Sequence, residues 1–315
     1  MAERMIELFH NSKRQQWNHF VAESANGTFL LDRRFMEYHS DRFEDTSVFV
    51  YDGAEIVGLL PASKHNTVAM SHGGLTYGGL IIGKSRSSAQ GVYTTLSEVC
   101  DHLRVAGFTS LIYKPSPHMY HKVPSEADLY ALFRLGAKLL KRDISSALAP
   151  SSHLEMRKGR KSLVKRAKQK VGLEISKSDD WESFHALLHS RLETKYGAAP
   201  VHSAHELALL QSRFPMNIAL TVAISNSVMV AGCVTFETDR VVHAQYLATN
   251  EIAREYGAMD LLISELIQQT LAKQKWFDFG ISTTNNGLDL NVDLARYKEG
   301  FGAKSVVYDC YQLEF

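Results

Sequence analysis

The sequence predicts two α/β domains in tandem, and three observations carry that expectation. The chain has 315 residues, more than one core usually absorbs. A strand, turn, strand pattern occurs twice, and each copy is followed by an amphipathic helix and a short strand. The composition is that of a globular chain: 45% hydrophobic and 22% charged residues exclude a disordered, collagen-like or coiled-coil protein. No apolar run approaches the roughly 18 residues that span a bilayer, and Met1, Ala2, Glu3 and Arg4 lack the basic-then-apolar order of an export signal. The expected location is therefore the cytoplasm. Cys100, Cys233 and Cys310 are scattered without CxxC spacing, which fits a reducing compartment and speaks against a disulfide scaffold or a zinc ribbon. A net charge of +1 provides no global field for nucleic acid, although a balanced total can hide a local basic patch.

In order along the chain, SVFVYDGAEIVGLLPAS from Ser47 reads as strand, Asp-Gly turn, strand. An extended stretch (74–82), the helix SAQGVYTTLSEVCDHLRVAG from Ser88 and the strand LIYK follow. The second copy runs ALTVAISNSVMVAGCVTFE from Ala219, an extended stretch (240–248), the helix REYGAMDLLISELIQQTLAK from Arg254 and the strand FDFG. A constant shift of 166 residues puts Gly91 on Gly257, Lys114 on Gly280, and Leu135, Gly136, Ala137 and Lys138 on Phe301, Gly302, Ala303 and Lys304. We read this as a duplication, with domains at 1–155 and 174–315 and a joining segment at 156–173. That segment, MRKGRKSLVKRAKQKVGL, carries eight Arg or Lys and no acid, and reads as a basic helix closed by Gly172. Such a run is either a solvated face or an anion site, the latter formed by Arg160, Lys161, Lys165 and Arg166.

From His243 onward the order is strand, Arg-x-x-Gly-Ala helix, strand with FDFG, helix bearing YKEGFGAK, and final strand. This order resembles the second domain of the Fem-type peptidyltransferases and, equally, that of related acetyltransferases within the GNAT superfamily. The basic segment is similar to the Arg/Lys-rich stretch that joins the two domains of that group. The resemblance implies two tandem GNAT-like domains, each a mixed, mostly antiparallel sheet flanked by helices, joined by a basic helical linker. It also implies transfer of an acyl group to an amine, from acetyl-CoA or another acyl-CoA, or from aminoacyl-tRNA in the Fem-type relatives.

Under this reading Arg254, Gly257 and Ala258 open a helix whose unpaired N–H groups receive a donor pyrophosphate, Gly257 permitting close approach. Met259 departs from the small residue that the family pattern has there. Lys298 matches the lysine that Fem-type enzymes place beside the reacting carbonyl, where a fixed cation stabilises a tetrahedral oxyanion; otherwise it is a surface lysine before two glycines. Asp278 lies between Phe277 and Phe279 on the opposite strand face, and an acid there needs a partner. It either accepts a proton from the attacking ammonium or binds Lys298 or a backbone N–H. His243, Gln245 and Tyr246 lie on the neighbouring strand, where alternation puts Tyr246 opposite the other two unless the strand bulges. His243 is a candidate base, though a strand histidine is commonly structural.

In the first half, SHGGLTYGGL from Ser71 places His72 and Tyr77 among four glycines, either a site of close backbone approach or a plain loop. Leu132 stands where Lys298 stands in the second copy, so the first domain is expected to form an acceptor wall and the second to hold the donor. HExxH, HxH, GxSxG and Walker A patterns are absent, so no metal and no covalently attached cofactor are expected. The expected activity is N-acyl transfer, in the first instance acetyl from acetyl-CoA, to an amine on a phosphate-bearing, nucleotide-linked or lipid-linked amino sugar of envelope-glycan synthesis. Two rivals stay open: transfer of an amino acid from aminoacyl-tRNA, with the basic segment binding tRNA, and a non-catalytic RNA- or glycan-binding protein.

Overall fold

The computed structural model describes residues 4–151 and 155–315. Residues 1–3, on which the export reading partly rests, lie outside it. The chain runs β1 (Arg4–Leu8), α1 (Arg14–Glu23), β2 (Val48–Asp52), β3 (Glu55–Leu60), β4 (Val68–Met70), β5 (Ile81–Ile82), α2 (Ala89–Val105), β6 (Ser110–Tyr113), α3 (Ala127–Arg134) and β7 (Lys138–Leu148). Then follow α4 (Lys158–Lys168), β8 (Leu173–Ser178), α5 (Trp181–Tyr196), α6 (Ala204–Arg213), β9 (Ile218–Ser225), β10 (Val228–Glu237) and β11 (Val241–Thr249). The chain closes with α7 (Glu251–Tyr256), α8 (Ala258–Ala272), β12 (Trp276–Ile281), α9 (Val292–Glu299) and β13 (Lys304–Glu314).

The fold is α/β, with two halves that share an element order. Shifted by 166 residues, β7 falls residue for residue on β13, β6 on the start of β12, and α3 within one residue of α9. The two hairpins precede the matched region and do not keep that spacing, because the first half carries extra residues around its glycine-rich segment.

The contact units are discontinuous in sequence, unlike domains split at 155 and 174. Unit 1 comprises Met1–Asp143, Thr284–Asp289 and Val307–Phe315; unit 2 comprises Ile144–Thr283 and Leu290–Val306. The last strand segment belongs to unit 1 because Tyr311, Gln312, Leu313 and Glu314 pair antiparallel with β6 and Leu313 is buried in that core. The basic helix α4 follows unit 1 in sequence but is built into unit 2, where Val164 and Ala167 pack on Leu261 of α8.

In unit 1, β1, β2, β3 and β5 form an antiparallel sheet, and β4 pairs parallel with β6. Helix α2 forms because Val92, Leu96, Val99, Cys100 and Leu103 recur at helical spacing and bury against the sheets, while Ser88 caps its start by accepting from the Gly91 N–H. In unit 2, β8, β9, β10 and β11 are antiparallel, β11 pairs parallel with β12, and β12 pairs antiparallel with the end of β7. Phe277, Phe279 and Phe301 join Leu262, Ile263 and Ile267 of α8 in one core. Helix α5 contacts β10 and β11. It sits close because residue 232 is glycine: a Cβ there would lie 2.6 Å from the Phe184 ring.

Candidate active site

In unit 2 the parallel ladder between β11 and β12 joins three residue pairs, Val241 with Trp276, Val242 with Phe277 and His243 with Asp278. Both strands run on, to Thr249 and to Ile281, without further pairing to each other. The strands part at the point where the histidine and the acid stand, and on β12 the Gly280 and Ile281 carbonyls beyond it are taken by the Lys298 ammonium.

Asp278 is fully buried and surrounded by donors. The Ser145 hydroxyl of β7 donates to Oδ1 at 2.5 Å, the Gly280 N–H donates to the same oxygen at 3.1 Å, and His243 Nδ1 lies 2.7 Å from Oδ2. An ionised carboxylate only accepts, so this contact suits the His243 tautomer that carries its proton on Nδ1. Gly280, at φ +76°, completes the arrangement, since a Cβ there would stand 3.2 Å from the His243 ring.

The strand does bulge. Val234 faces Tyr246 while Thr235 faces Ala244, so Gln245 is the extra residue. This changes the alternation and brings His243 and Tyr246 onto one face, with Val242, Ala244 and Leu247 turned toward the α8 core. The Tyr246 hydroxyl lies 2.6 Å from Nδ1 of His202, a buried residue between α5 and α6. Burial pushes the Tyr246 phenol up to about 12, so it stays protonated.

Lys298 is not a surface lysine. It is 2% exposed, and its ammonium donates to the carbonyls of Gly280 and Ile281, both at 2.7 Å. Burial lowers its pKa to about 8, opposed by the nearby Asp278 charge. Two of its three N–H donors thus hold the main chain beside Asp278.

At Arg254 the sequence reading, a strand leading straight into one helix, needs correction. Asn250 caps α7, and Gly257, at φ +85°, joins α7 to α8. What approaches Gly257 closely is α4: a Cβ would stand 2.7 Å from the Leu163 carbonyl oxygen. Ala258 is buried and Arg254 exposed.

The four basic candidates on α4 separate. Arg160 points inward, donating to Asp260 of α8 at 2.5 Å with its guanidinium 4.2 Å from the Tyr297 ring centre. Arg166 donates to the Glu255 carbonyl at 2.8 Å. Lys161 and Lys165 are exposed. In unit 1, His72 is 4% exposed and its pKa is lowered to about 3 by burial, while Tyr77 is buried with its hydroxyl 3.0 Å from Thr28. Both side chains are part of that unit's interior. The parallel pair in unit 1 that corresponds to His243 and Asp278 is Met70 with Ile112, so the first copy lacks this dyad.

Sequence reasoning missed Ser145, His202 and Asp260. None lies in a motif, and each is joined to its partner only by strand pairing or helix packing.

Residues 151–299 match the family model described as an acetyltransferase (GNAT) domain. No curated protein matches the chain. Among solved structures the chain is similar to FemX, at 11% identity and a TM-score of 0.68 over 98% of this chain and 97% of that one. It is similar to L-PGS from Bacillus licheniformis, at 13% identity and 0.63 over 98% and 93%. It is also similar to a tandem GNAT protein from the clavulanic acid biosynthesis pathway, at 11% and 0.51 over 99% and 98%. At these identities the likeness is one of fold. Residues 151–299 thus carry the match to an acetyltransferase (GNAT) domain, and the chain as a whole shares its fold with FemX and with the tandem GNAT protein.

Proposed function

We propose that this chain transfers an acyl group to an amine with His243 as general base, and the observation that carries the reading is the buried Asp278 behind Nδ1 of His243. The amine nitrogen attacks the acyl carbonyl, a C–N bond forms, and the C–S bond of a thioester or C–O bond of an ester breaks. The proton lost by the amine passes to His243 Nε2 and then to the leaving thiolate or alkoxide. Asp278 stabilises the imidazolium that forms between these steps. Lys298 fixes the Gly280–Ile281 main chain with two N–H groups and directs its positive charge at the developing oxyanion.

The donor we favour is acetyl-CoA or another acyl-CoA, and the acceptor an amine on a phosphate-bearing, nucleotide- or lipid-linked amino sugar. The exposed cations of α4 support an anionic acceptor. One observation favours a second donor, aminoacyl-tRNA: the close approach at Gly257 is already filled by Leu163, which removes one reason to place a CoA pyrophosphate there. Calorimetric titration with acetyl-CoA and, separately, with charged tRNA tests the donor. Saturable binding of acetyl-CoA, with acyl transfer to an amino sugar phosphate that His243→Ala abolishes, is the expected result. Binding of charged tRNA alone selects the second reading, and binding of neither rejects the transferase assignment.

A further inference from the structure

Helix α4 sorts its basic residues by type. Each arginine has a partner: Arg160 is turned inward to Asp260, Arg166 donates to the Glu255 carbonyl, and Arg157, 61% exposed, pairs at the surface with Glu299. Four lysines, Lys158, Lys161, Lys165 and Lys168, are all exposed, and their side chains make no hydrogen bond or ion pair to any described residue. Their spacing of three, four and three residues places them in one row on the helix. At 1.5 Å per residue that row is about 15 Å long. Val164 and Ala167 anchor the helix on Leu261 of α8, and the row remains exposed. Just beyond its end, Val171 is 90% exposed.

We propose that this lysine row docks unit 2 on the anionic surface of a lipid bilayer. The inference rests on reading α4 as an anion-binding element, not on the transfer reaction. Lysine ammonium groups are compact, strongly hydrated point charges, suited to a diffuse layer of mobile headgroups. Arginine, the residue of bidentate phosphate contacts, is here paired within the protein. No aromatic side chain occurs in α4 for bases to stack on, which disfavours single-stranded RNA as the occupant. An exposed aliphatic residue at the end of the row suits the boundary between headgroups and acyl chains.

The test is co-sedimentation of the full chain with phosphatidylcholine vesicles, with and without phosphatidylglycerol, at low and high salt. Binding should require phosphatidylglycerol and weaken with salt. Single Lys161→Ala, Lys165→Ala and Lys168→Ala changes should each cost about fivefold in affinity, and the triple change about a hundredfold. Lys84→Ala, which removes the same charge from an exposed site in unit 1, should leave binding within about twofold. Circular dichroism of the triple variant must match the parent, as expected for residues without partners. Equal binding to both vesicle types, retained binding in the triple variant, or binding to RNA oligonucleotides with none to anionic vesicles would each overturn the proposal. The readout needs no turnover. A chain that binds anionic vesicles yet transfers nothing leaves this inference standing and sinks the transferase reading, and the reverse result does the opposite.

Discussion

A buried carboxylate is tolerated only when donors replace the water it has lost, and at Asp278 those donors come from Ser145, Gly280 and His243. In the proposed mechanism, Asp278→Asn puts an amide where a carboxylate would stabilise the imidazolium and fix its tautomer. We expect kcat to fall by about 10²-fold or more with KM little changed, since the interaction strengthens in the transition state. Steady-state kinetics with saturating donor check this, and a parent-like kcat removes the dyad from the mechanism. At Lys298 the pKa is depressed, from 10.5 to about 8, so the buried ammonium loses its proton as pH rises through about 8. If its charge serves the reaction, the rate falls on that alkaline limb. The fold does not suffer with it, because a group whose folded pKa is lowered adds stability as pH rises toward its unfolded value. A pH–rate profile measured beside thermal melts separates the two effects. Lys298→Met should lower kcat by about 10²-fold and abolish the limb.

At the scale of elements, α4 is two things at once. Its inner face is structural: Arg160→Ala leaves Asp260 buried beside no cation and should cost about 3 kcal/mol of stability. Gly257→Ala should cost more than about 1 kcal/mol, from the positive φ and the Leu163 carbonyl 2.7 Å from the new Cβ. Lys161→Ala, which loses no partner, should change stability by less than about 0.5 kcal/mol. Urea denaturation of the three variants orders them, and equal losses would contradict the inner and outer assignment. The eight basic charges were legible as a run, and their helical form from spacing. Which of them face solvent was not legible, because that depends on where α8 lies.

For the whole molecule, the C-terminal strand is the informative segment, since Val307–Phe315 completes unit 1 although it follows unit 2 in sequence. Leu313→Ala removes a side chain 4% exposed and should cost about 2–5 kcal/mol. Hydrogen exchange should show the lost protection at Ser110–Tyr113 of β6, about 200 residues away in sequence. Loss confined to unit 2 would contradict the strand's assignment. Unit 1 also carries an acid-sensitive group. His72 has a folded pKa near 3 against 6.5 in the unfolded chain, so the unfolded state takes up the proton first. Its contribution is complete above pH 6.5 and is lost progressively as pH falls toward 3, at about 1.4 kcal/mol per unit. Melting temperatures across that range should fall less steeply in His72→Gln, and identical slopes would rule the group out.

Local pattern alone determined the two hairpins, the amphipathic helices and the repeat from the LIYK strand onward, because strand and helix periodicity and turn chemistry act over a few residues. It also marked Asp278 as an acid in an apolar strand, while Lys298 stood out through the family resemblance and His243 through its place on the neighbouring strand. Tertiary structure decided what surrounds them. Ser145 reaches Asp278 across 133 residues of sequence, and the bulge at Gln245 turns Tyr246 to the side of His243. The bulge depends on how β11 registers against β10, and the buried carboxylate depends on donors brought by other strands. Such couplings are set when strands pair and apolar faces bury, and no single segment encodes them.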